Sequence, residues 1–324
     1  MKKIISLIIA LFCCTLCCVG CGADNKEYFT VYAPDGAPAV AIAKFISEKE
    51  KFGSEKEFRY NVVTAAEISG AITVNKADFV IMPIAAATKL YKQNGGYKMA
   101  AVITHGNFYF ISSFKIESAE GLVGKCVLIP NAQNTVPDLT LKSILKEKNI
   151  EYTVSDTAIA NKVALSYYNS GSTVIQKLSP TGSDEFVAML PEPAATSVAS
   201  VKPVYSYRLD MQAQYDSENK SYPQAVLMVK ASVANDYGDI ISNMAGAFAS
   251  NAAWVKNNPQ KAVAAVKAIF NGSSLTNLTE KSIDGCKIYW GGAQYEKQAV
   301  LSYITRIRAV SEASVNEVSD DFFL

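Results

Sequence analysis

The sequence predicts an α/β protein of two similarly planned lobes, each a mainly parallel sheet flanked by helices. Three observations predict it. The phrase "DFVIMPIAA", residues 78–86, returns about a hundred residues later as "EFVAMLPEPAA", residues 185–195. Both are continuous apolar runs closed by a proline, the pattern of a parallel strand buried on both faces. Between the strand signals lie stretches with helical spacing, so the chain reads strand, helix, strand. A leader of 20 residues leaves 304, enough for two ordinary domains, and 49% of the chain is hydrophobic, enough to build their cores.

The first lobe opens with "YFTVYAPDGAPAVAIAKFISEKEKF" (28–52), an aromatic and β-branched strand, a Pro/Gly turn and a helix in which Pro38 suits the first position. "FRYNVV" (58–63) is a second strand. "TAAEISGAITVN" (64–75) is a helix opened by Thr64 with Glu67 three residues on, the spacing of a capping box. "ADFVIMP" (77–83) completes a βαβαβ unit. From residue 121 the order repeats: "GLVGKCVLIPNAQNTVPDLTLKSILKEKN" gives strand, loop and helix with Pro137 in the place of Pro38. "VALSYY", "NSGSTVIQKLSPTG" and "DEFVAMLPEPAA" then match the second strand, short helix and third strand, so the two phrases are equivalent elements of two lobes.

Two α/β lobes in one chain create a cleft, and ligands of open α/β sheets sit beyond the carboxyl ends of the strands. On lobe one the loops expected to face it are Pro34–Pro38, Thr64–Glu67, Met82–Ala86 and Thr104–Tyr109. On lobe two they are Pro130–Pro137, Asn169–Thr173 and Leu190–Ala195. The turns at Gly36–Ala39 and Asn134–Asp138 would present helix N-termini, whose free N–H groups and positive dipole ends suit a polar or anionic ligand group.

The N-terminus has the order of an export signal: Lys2 and Lys3, the apolar "IISLIIALF", then "CCTLCCVGCG". Gly20 before Cys21 resembles the lipobox of bacterial lipoproteins, which implies removal of residues 1–20, acylation of Cys21 and a polar tether over 21–27. Cys18 stands where such boxes usually have Leu, so Cys17 and Cys18 are alternative acceptors; a plain secretory signal is the other reading. No later stretch approaches 18 apolar residues, so no transmembrane helix is expected. Five cysteines lie within residues 1–21, leaving Cys126 and Cys286, and with His105 as the one histidine there is neither a metal cluster nor a disulfide framework to expect. Loss of Lys2 and Lys3 leaves 29 basic against 30 acidic residues, with no basic stripe for nucleic acid.

"APDGAPAVA", "GYKMAAVITHGNFYFISS", "AMLPEPAAT", "YPQAVLMVK" and "AWVKNNPQKAVAAV" resemble the extracytoplasmic substrate-binding proteins of ABC importers, in the group described for taurine, nitrate, sulfonate and thiamine-pyrimidine transport. The similarity runs over residues 28–324. It implies a type II periplasmic-binding-protein fold with two crossover hinge strands, closing on a small molecule and docking on an ABC permease. It also implies a monomer held at the outer face of the cytoplasmic membrane by its lipid, with no cofactor. Crossovers near Asn107–Ser112 and Tyr222–Leu227 make lobe one residues 28–110 plus 224–324 and lobe two residues 111–223. "DIISNMAGAFASNAAWVKNN" and "YEKQAVLSYITRIRAV" carry apolar residues at helical spacing and should cover a lobe.

The candidate ligand contacts are Pro34, Asp35, Gly36, Ala37, Thr64, Met82 and Pro83 on lobe one, and Asn131, Gln133, Asn134, Thr135, Ser172, Pro191 and Glu192 on lobe two. His105, Asn107 and Tyr109 join them near the first crossover. His105 is read either as a ligand contact or as a structural histidine at a hinge. Asn107 offers polar contacts and Tyr109 adds a flat face. Asn131, Gln133, Asn134 and Thr135 crowd one loop with amides and hydroxyls, as ligand donors or as turn chemistry. Glu192, if it points inward, favours an amine, amidine or ring N–H; otherwise it caps the helix that follows. Tyr289 and Trp290 in "CKIYWGG" either stack on a ring or plug the core.

Of four arginines, Arg59, Arg208, Arg306 and Arg308, none falls in a predicted cleft loop, which disfavours a strongly anionic ligand. The expectation is a small polar solute, a neutral or weakly cationic heterocycle. Two other readings compete: a pyrimidine-synthesis-like enzyme on the same fold, in which histidine would take part, and a surface receptor that reports ligand to a sensor. No Ser–His–Asp set and no P-loop motif can be assembled for the enzyme.

Overall fold

The computed structural model describes residues 27–94 and 96–324. The export signal, Cys21 and the tether up to residue 26 lie outside the described residues. The first lobe runs β1 (Tyr28–Pro34), α1 (Ala37–Glu48), β2 (Glu57–Val63), α2 (Ala65–Thr73), β3 (Phe79–Pro83), α3 (Ile84–Asn94) and β4 (Tyr97–His105). The chain then crosses to β5 (Phe108–Ser112), β6 (Cys126–Ile129), α4 (Val136–Glu147), β7 (Tyr152–Val154), β8 (Val163–Tyr167), α5 (Gly171–Lys177), β9 (Phe186–Pro191), α6 (Ala194–Val201), β10 (Tyr207–Asp210) and α7 (Met211–Tyr215). It returns through β11 (Pro223–Lys230), α8 (Ala231–Asp236), α9 (Gly238–Ala249), α10 (Asn251–Asn257), α11 (Pro259–Ile269), α12 (Glu280–Gly285), β12 (Ile288–Gly292) and α13 (Ala293–Arg308).

Among the described residues these strands form two six-stranded sheets, ordered β12-β4-β11-β3-β1-β2 and β10-β5-β9-β6-β8-β7. In the first, β1 pairs parallel with β2 and β3; in the second, β6 pairs parallel with β8 and β9. The repeated phrases are β3 and β9, each beside the first parallel strand of its sheet. The next place in each sheet is taken by an antiparallel strand that has just crossed from the other lobe: β11 beside β3, and β5 beside β9. Each lobe is thus completed by chain that the other sends across.

Alternation along the strands sorts the core into layers. Phe79 and Ile81 of β3 face a cluster with α1, α9 and α11, while Val80 and Met82 face a second cluster that also takes Val187 and Met189 of β9. That second layer is continuous through both lobes, and Val300, Tyr303, Ile304 and Ile307 of α13 lie in it. Tyr303 Oη and Thr140 Oγ1 of α4 are 2.5 Å apart, a direct link from the C-terminal helix to lobe two.

Several expectations are corrected. Pro38 and Pro137 occupy the second, not the first, helical position, where the missing amide is equally harmless because first-turn N–H groups lack intrahelical partners. The covering stretch after β11 divides at Ser250 into α9 and α10. "CKIYWGG" is the edge strand β12, antiparallel to β4, with Trp290 packed 5.1 Å from Phe248; the short edge strands β7 and β10 carried too little apolar sequence to be read. The boundary drawn after residue 110 falls inside β5, whose residues all pair in the second sheet, and Pro223 already pairs in the first.

The first crossing is two residues long, Gly106 and Asn107, and it lies against the second. Gly106 N–H donates to Tyr222 O at 2.8 Å, and the buried Tyr222 ring stacks on Tyr303 at 5.3 Å. A Cβ on Gly106 would stand 2.3 Å from that ring. Gly106→Ala is therefore expected to lower unfolding stability by about 1–3 kcal/mol through overpacking. Gly246→Ala on α9, where a Cβ meets nothing, is expected to raise it by about 0.5–1 kcal/mol. Urea denaturation separates the two; equal midpoints would contradict the packing of Tyr222.

Candidate functional site

A cavity of about 480 Å3 opens between the lobes at the carboxyl ends of the parallel strands. Lobe one supplies Pro34, Asp35, Gly36, Ala37 and Pro38 from the β1–α1 turn, Ala65 from the start of α2, and Pro83, Ala85, Ala86 and Lys89 from β3 and α3. Lobe two supplies Asn131, Asn134, Thr135, Val136 and Pro137 from the β6–α4 loop, and Pro191 and Glu192 from the end of β9. The crossings supply Asn107, Phe108, Gln224 and Ala225, and Ser314 comes from beyond α13. A larger depression of about 620 Å3, beside Ile46, Phe58 and Ala265, has walls from lobe one alone, so no movement of the lobes could enclose a solute there.

Gly36 takes φ +93°, a conformation that strains any other residue, and this turn brings the N-terminus of α1 to the cavity wall. The N-terminus of α4 reaches it from the opposite lobe. Among the described residues neither helix has a side-chain cap, so the first-turn N–H groups outside Pro38 and Pro137 remain open to a ligand, although α4 already carries the carboxylate of Asp138 in its first turn. α2 is different: Thr64 and Glu67 form the expected capping box, with Thr64 N donating to Glu67 Oε2 at 2.8 Å.

Both acids of the wall are already engaged. Asp35 accepts from Ser273 Oγ at 2.6 Å and from Ser274 N and Oγ at 2.7 Å. Glu192 is fully buried and accepts from Thr196 N at 3.0 Å, Thr196 Oγ1 at 2.6 Å and Arg208 Nη1 at 2.6 Å, so it caps the start of α6. The amine-seeking reading of Glu192 is thereby corrected, since a carboxylate with three donors needs no cationic ligand. Arg208 lies flat on Tyr109, 3.4 Å from the ring centroid. Lys89, by contrast, is exposed and has no ion pair among the described residues.

At the floor, Asn107 and Gln224 bind each other across the two crossings. Gln224 Oε1 accepts from Asn107 N at 3.2 Å, and Gln224 Nε2 donates to Asn107 Oδ1 at 2.8 Å. Asn107 O accepts from Glu192 N at 2.9 Å. Asn107 is 1% exposed and its Nδ2 has no partner among the described residues, which leaves a donor at the cavity floor.

Of the residues singled out from the sequence, Pro34, Asp35, Gly36, Ala37, Pro83, Asn107, Asn131, Asn134, Thr135, Pro191 and Glu192 meet at this cavity. Thr64 is spent on its capping box, Ser172 pairs with Ser170, and Gln133 is exposed outside the wall. Met82 and Tyr109 are on strand faces that turn into the cores. Lys89 was readable in principle, one helical turn beyond Ala85 and Ala86; Gln224 needed the register of β11, and Ser314 gave no sequence signal.

His105 is also outside the wall. Its Nδ1 pairs with Ser221 Oγ, its ring meets Tyr289 edge-on at 4.7 Å, and its Nε2 is buried without a partner among the described residues, the arrangement of a structural histidine at the crossing. Burial, then the charge of Lys287, pushes its pKa down to about 4. Burial likewise raises the Cys126 thiol to about 11 and the Cys286 thiol further, so both free thiols are protonated. Among the described residues no group of three His, Cys, Asp or Glu is placed to hold a metal.

The unfolded chain protonates histidine near pH 6.5, whereas the folded one resists until about 4. The unfolded state therefore binds more protons in that window. Stability present above about pH 6.5 should fall by up to about 3 kcal/mol as pH drops to about 4. His105→Gln is expected to flatten this part of the melting-temperature profile; identical slopes in parent and variant would refute the assignment.

No family model matches the sequence, and no curated relative matches it. Solved structures do. An ABC transporter protein from Parabacteroides distasonis superimposes with a TM-score of 0.74 at 18% identity, over 92% of this chain and 99% of that one. The periplasmic aliphatic sulphonate binding protein SsuA from Escherichia coli gives 0.62 at 11%, over 89% and 88%. The ligand-binding component of an ABC-type import system from Staphylococcus aureus, with zinc bound, gives 0.58 at 11%, over 92% and 96%. Topology and superposition together establish that this chain has the two-lobed, type II periplasmic-binding-protein fold.

Proposed function

We propose that the protein binds a small polar solute between its lobes and delivers it to the permease of an ABC importer. The observation that carries this reading is the composition of the cavity, with walls from both lobes and a floor made by the two crossings. A solute there would touch both lobes at once and favour their approach. In the same reading the chain is a monomer, exported and held at the outer face of the cytoplasmic membrane by a lipid on Cys21.

The ligand is a compact molecule rich in hydrogen-bond acceptors, neutral or anionic, with an apolar body. Lys89, Asn107 Nδ2 and the two uncapped helix ends are donors, while Ala37, Pro38, Phe108, Val136 and Pro137 are apolar walls. A neutral heterocycle fits this description; the weakly cationic alternative has lost the free carboxylate that motivated it. The pyrimidine-synthesis-like reading lacks a histidine in the wall, and nothing in the cleft favours a sensor over a transporter as partner.

Thermal shift against carboxylates, sulfonates, pyrimidines and amines tests the reading. A true ligand at about one hundred times its Kd is expected to stabilise the fold by about 2.7 kcal/mol. Lys89→Ala should weaken that ligand by about tenfold or more with little change in the ligand-free melting temperature, whereas Asn107→Leu should weaken it comparably and also lower the ligand-free melting temperature, because Gln224 Nε2 loses its acceptor. No shift with any class, or turnover of a bound compound, would overturn the proposal.

A further inference from the structure

Gly285 ends α12 in lobe one, yet the atoms nearest its missing Cβ belong to lobe two. A Cβ there would lie 2.6 Å from Glu192 Cγ, 2.9 Å from Oε1 and 3.1 Å from Cδ. Its backbone is not left-handed, so local conformation does not demand glycine, and alanine is the better helix former. The reason for glycine is the close approach of the other lobe.

Neither side of this contact can give way easily. Glu192 is pinned by Thr196 N, Thr196 Oγ1 and Arg208, and Arg208 is itself laid on Tyr109 of β5. α12 is fixed to lobe one by Ile283 and Cys286 in the core, by the Thr279 capping box and by Lys256 with Asp284 at 2.6 Å. Glu192 is also a wall residue of the cavity, and its N–H binds the crossing at Asn107 O. The contact therefore lies where cleft, crossing and both lobes meet.

We propose that Gly285 seated on the Glu192–Arg208 pair is an interlobe latch, and that the absent side chain lets the lobes come together over the cleft. Gly285 is thus a positioning residue that governs closure without touching the solute. The proposal rests on the solute-binding reading for its purpose, but not for its test, which needs no ligand.

Hydrogen exchange and small-angle scattering on the ligand-free protein decide it. In Gly285→Ala, exchange over residues 192–197 and 283–287 should rise by about tenfold or more through local opening, with the strands of both sheets unchanged and a larger radius of gyration. Glu192→Ala/Gly285→Ala, which deletes the atoms struck, should return 283–287 to parental protection. If Gly285→Ala fails to fold, the double variant carries the test, and must fold and protect 283–287. Parental exchange and radius in Gly285→Ala, or a double variant no better than the single one, would overturn the latch. Failure of the parent to bind any solute would instead remove the solute-binding reading and leave the lobe contact standing.

Discussion

Two crossings of the chain run side by side, and everything else in the molecule is arranged around their contact. Gly106 N–H binds Tyr222 O, Asn107 and Gln224 exchange hydrogen bonds, and Gln212 binds both N–H and C=O of Phe108. Because β5 and β11 issue from these crossings and fill the antiparallel place in opposite sheets, neither lobe's sheet is complete without the chain that passes through the waist. The first crossing is only two residues long, and both of them are buried. The glycine at its centre exists because the Tyr222 ring occupies the space a side chain would need.

The cleft follows from this arrangement. Parallel strands in both sheets end on the same gap, and the helices that start there aim their positive ends at it from opposite sides. α1 and α4 begin without side-chain caps, whereas α2, whose first turn contributes only Ala65 to the wall, has its own capping box. The acidic groups of the wall are engaged within the protein, Glu192 by the charge of Arg208 and hydrogen bonds from Thr196, Asp35 by hydrogen bonds from two serines. What remains for a solute is a set of donors over apolar walls, and the polarity of the site is decided by which groups are already satisfied, not by which residue types are present.

A second linkage ties the lobes outside the waist. The apolar layer that α13 enters is continuous from lobe one to lobe two, and Tyr303 reaches Thr140 in the helix whose N-terminus faces the cleft. Arg306 adds a contact to the Tyr215 ring at 3.7 Å and a hydrogen bond to its carbonyl at 2.8 Å. The C-terminal helix is therefore part of both lobes, and the Gly285 contact and the cavity lie where the remaining gap between them narrows.

The sequence by itself determined the alternation of strands and helices, the duplication of the lobes and most of the loops that meet at the cleft. These are written in local patterns: buried parallel strands need continuous apolar runs, helix starts need Thr, Pro or Gly at definite places, and strand-end loops follow from strand order. Even Thr64 with Glu67, a contact within one turn, was readable. The tertiary structure alone decided the partners of the polar groups. Whether Glu192 is a ligand contact or a cap depends on Arg208, sixteen residues away on another strand; whether His105 faces solute depends on Ser221 and Tyr289; and whether Gly285 tolerates a side chain depends on a residue of the opposite lobe. Long-range hydrogen bonding and steric contact leave no periodic trace in a chain, because their distances are set by the packing of whole elements.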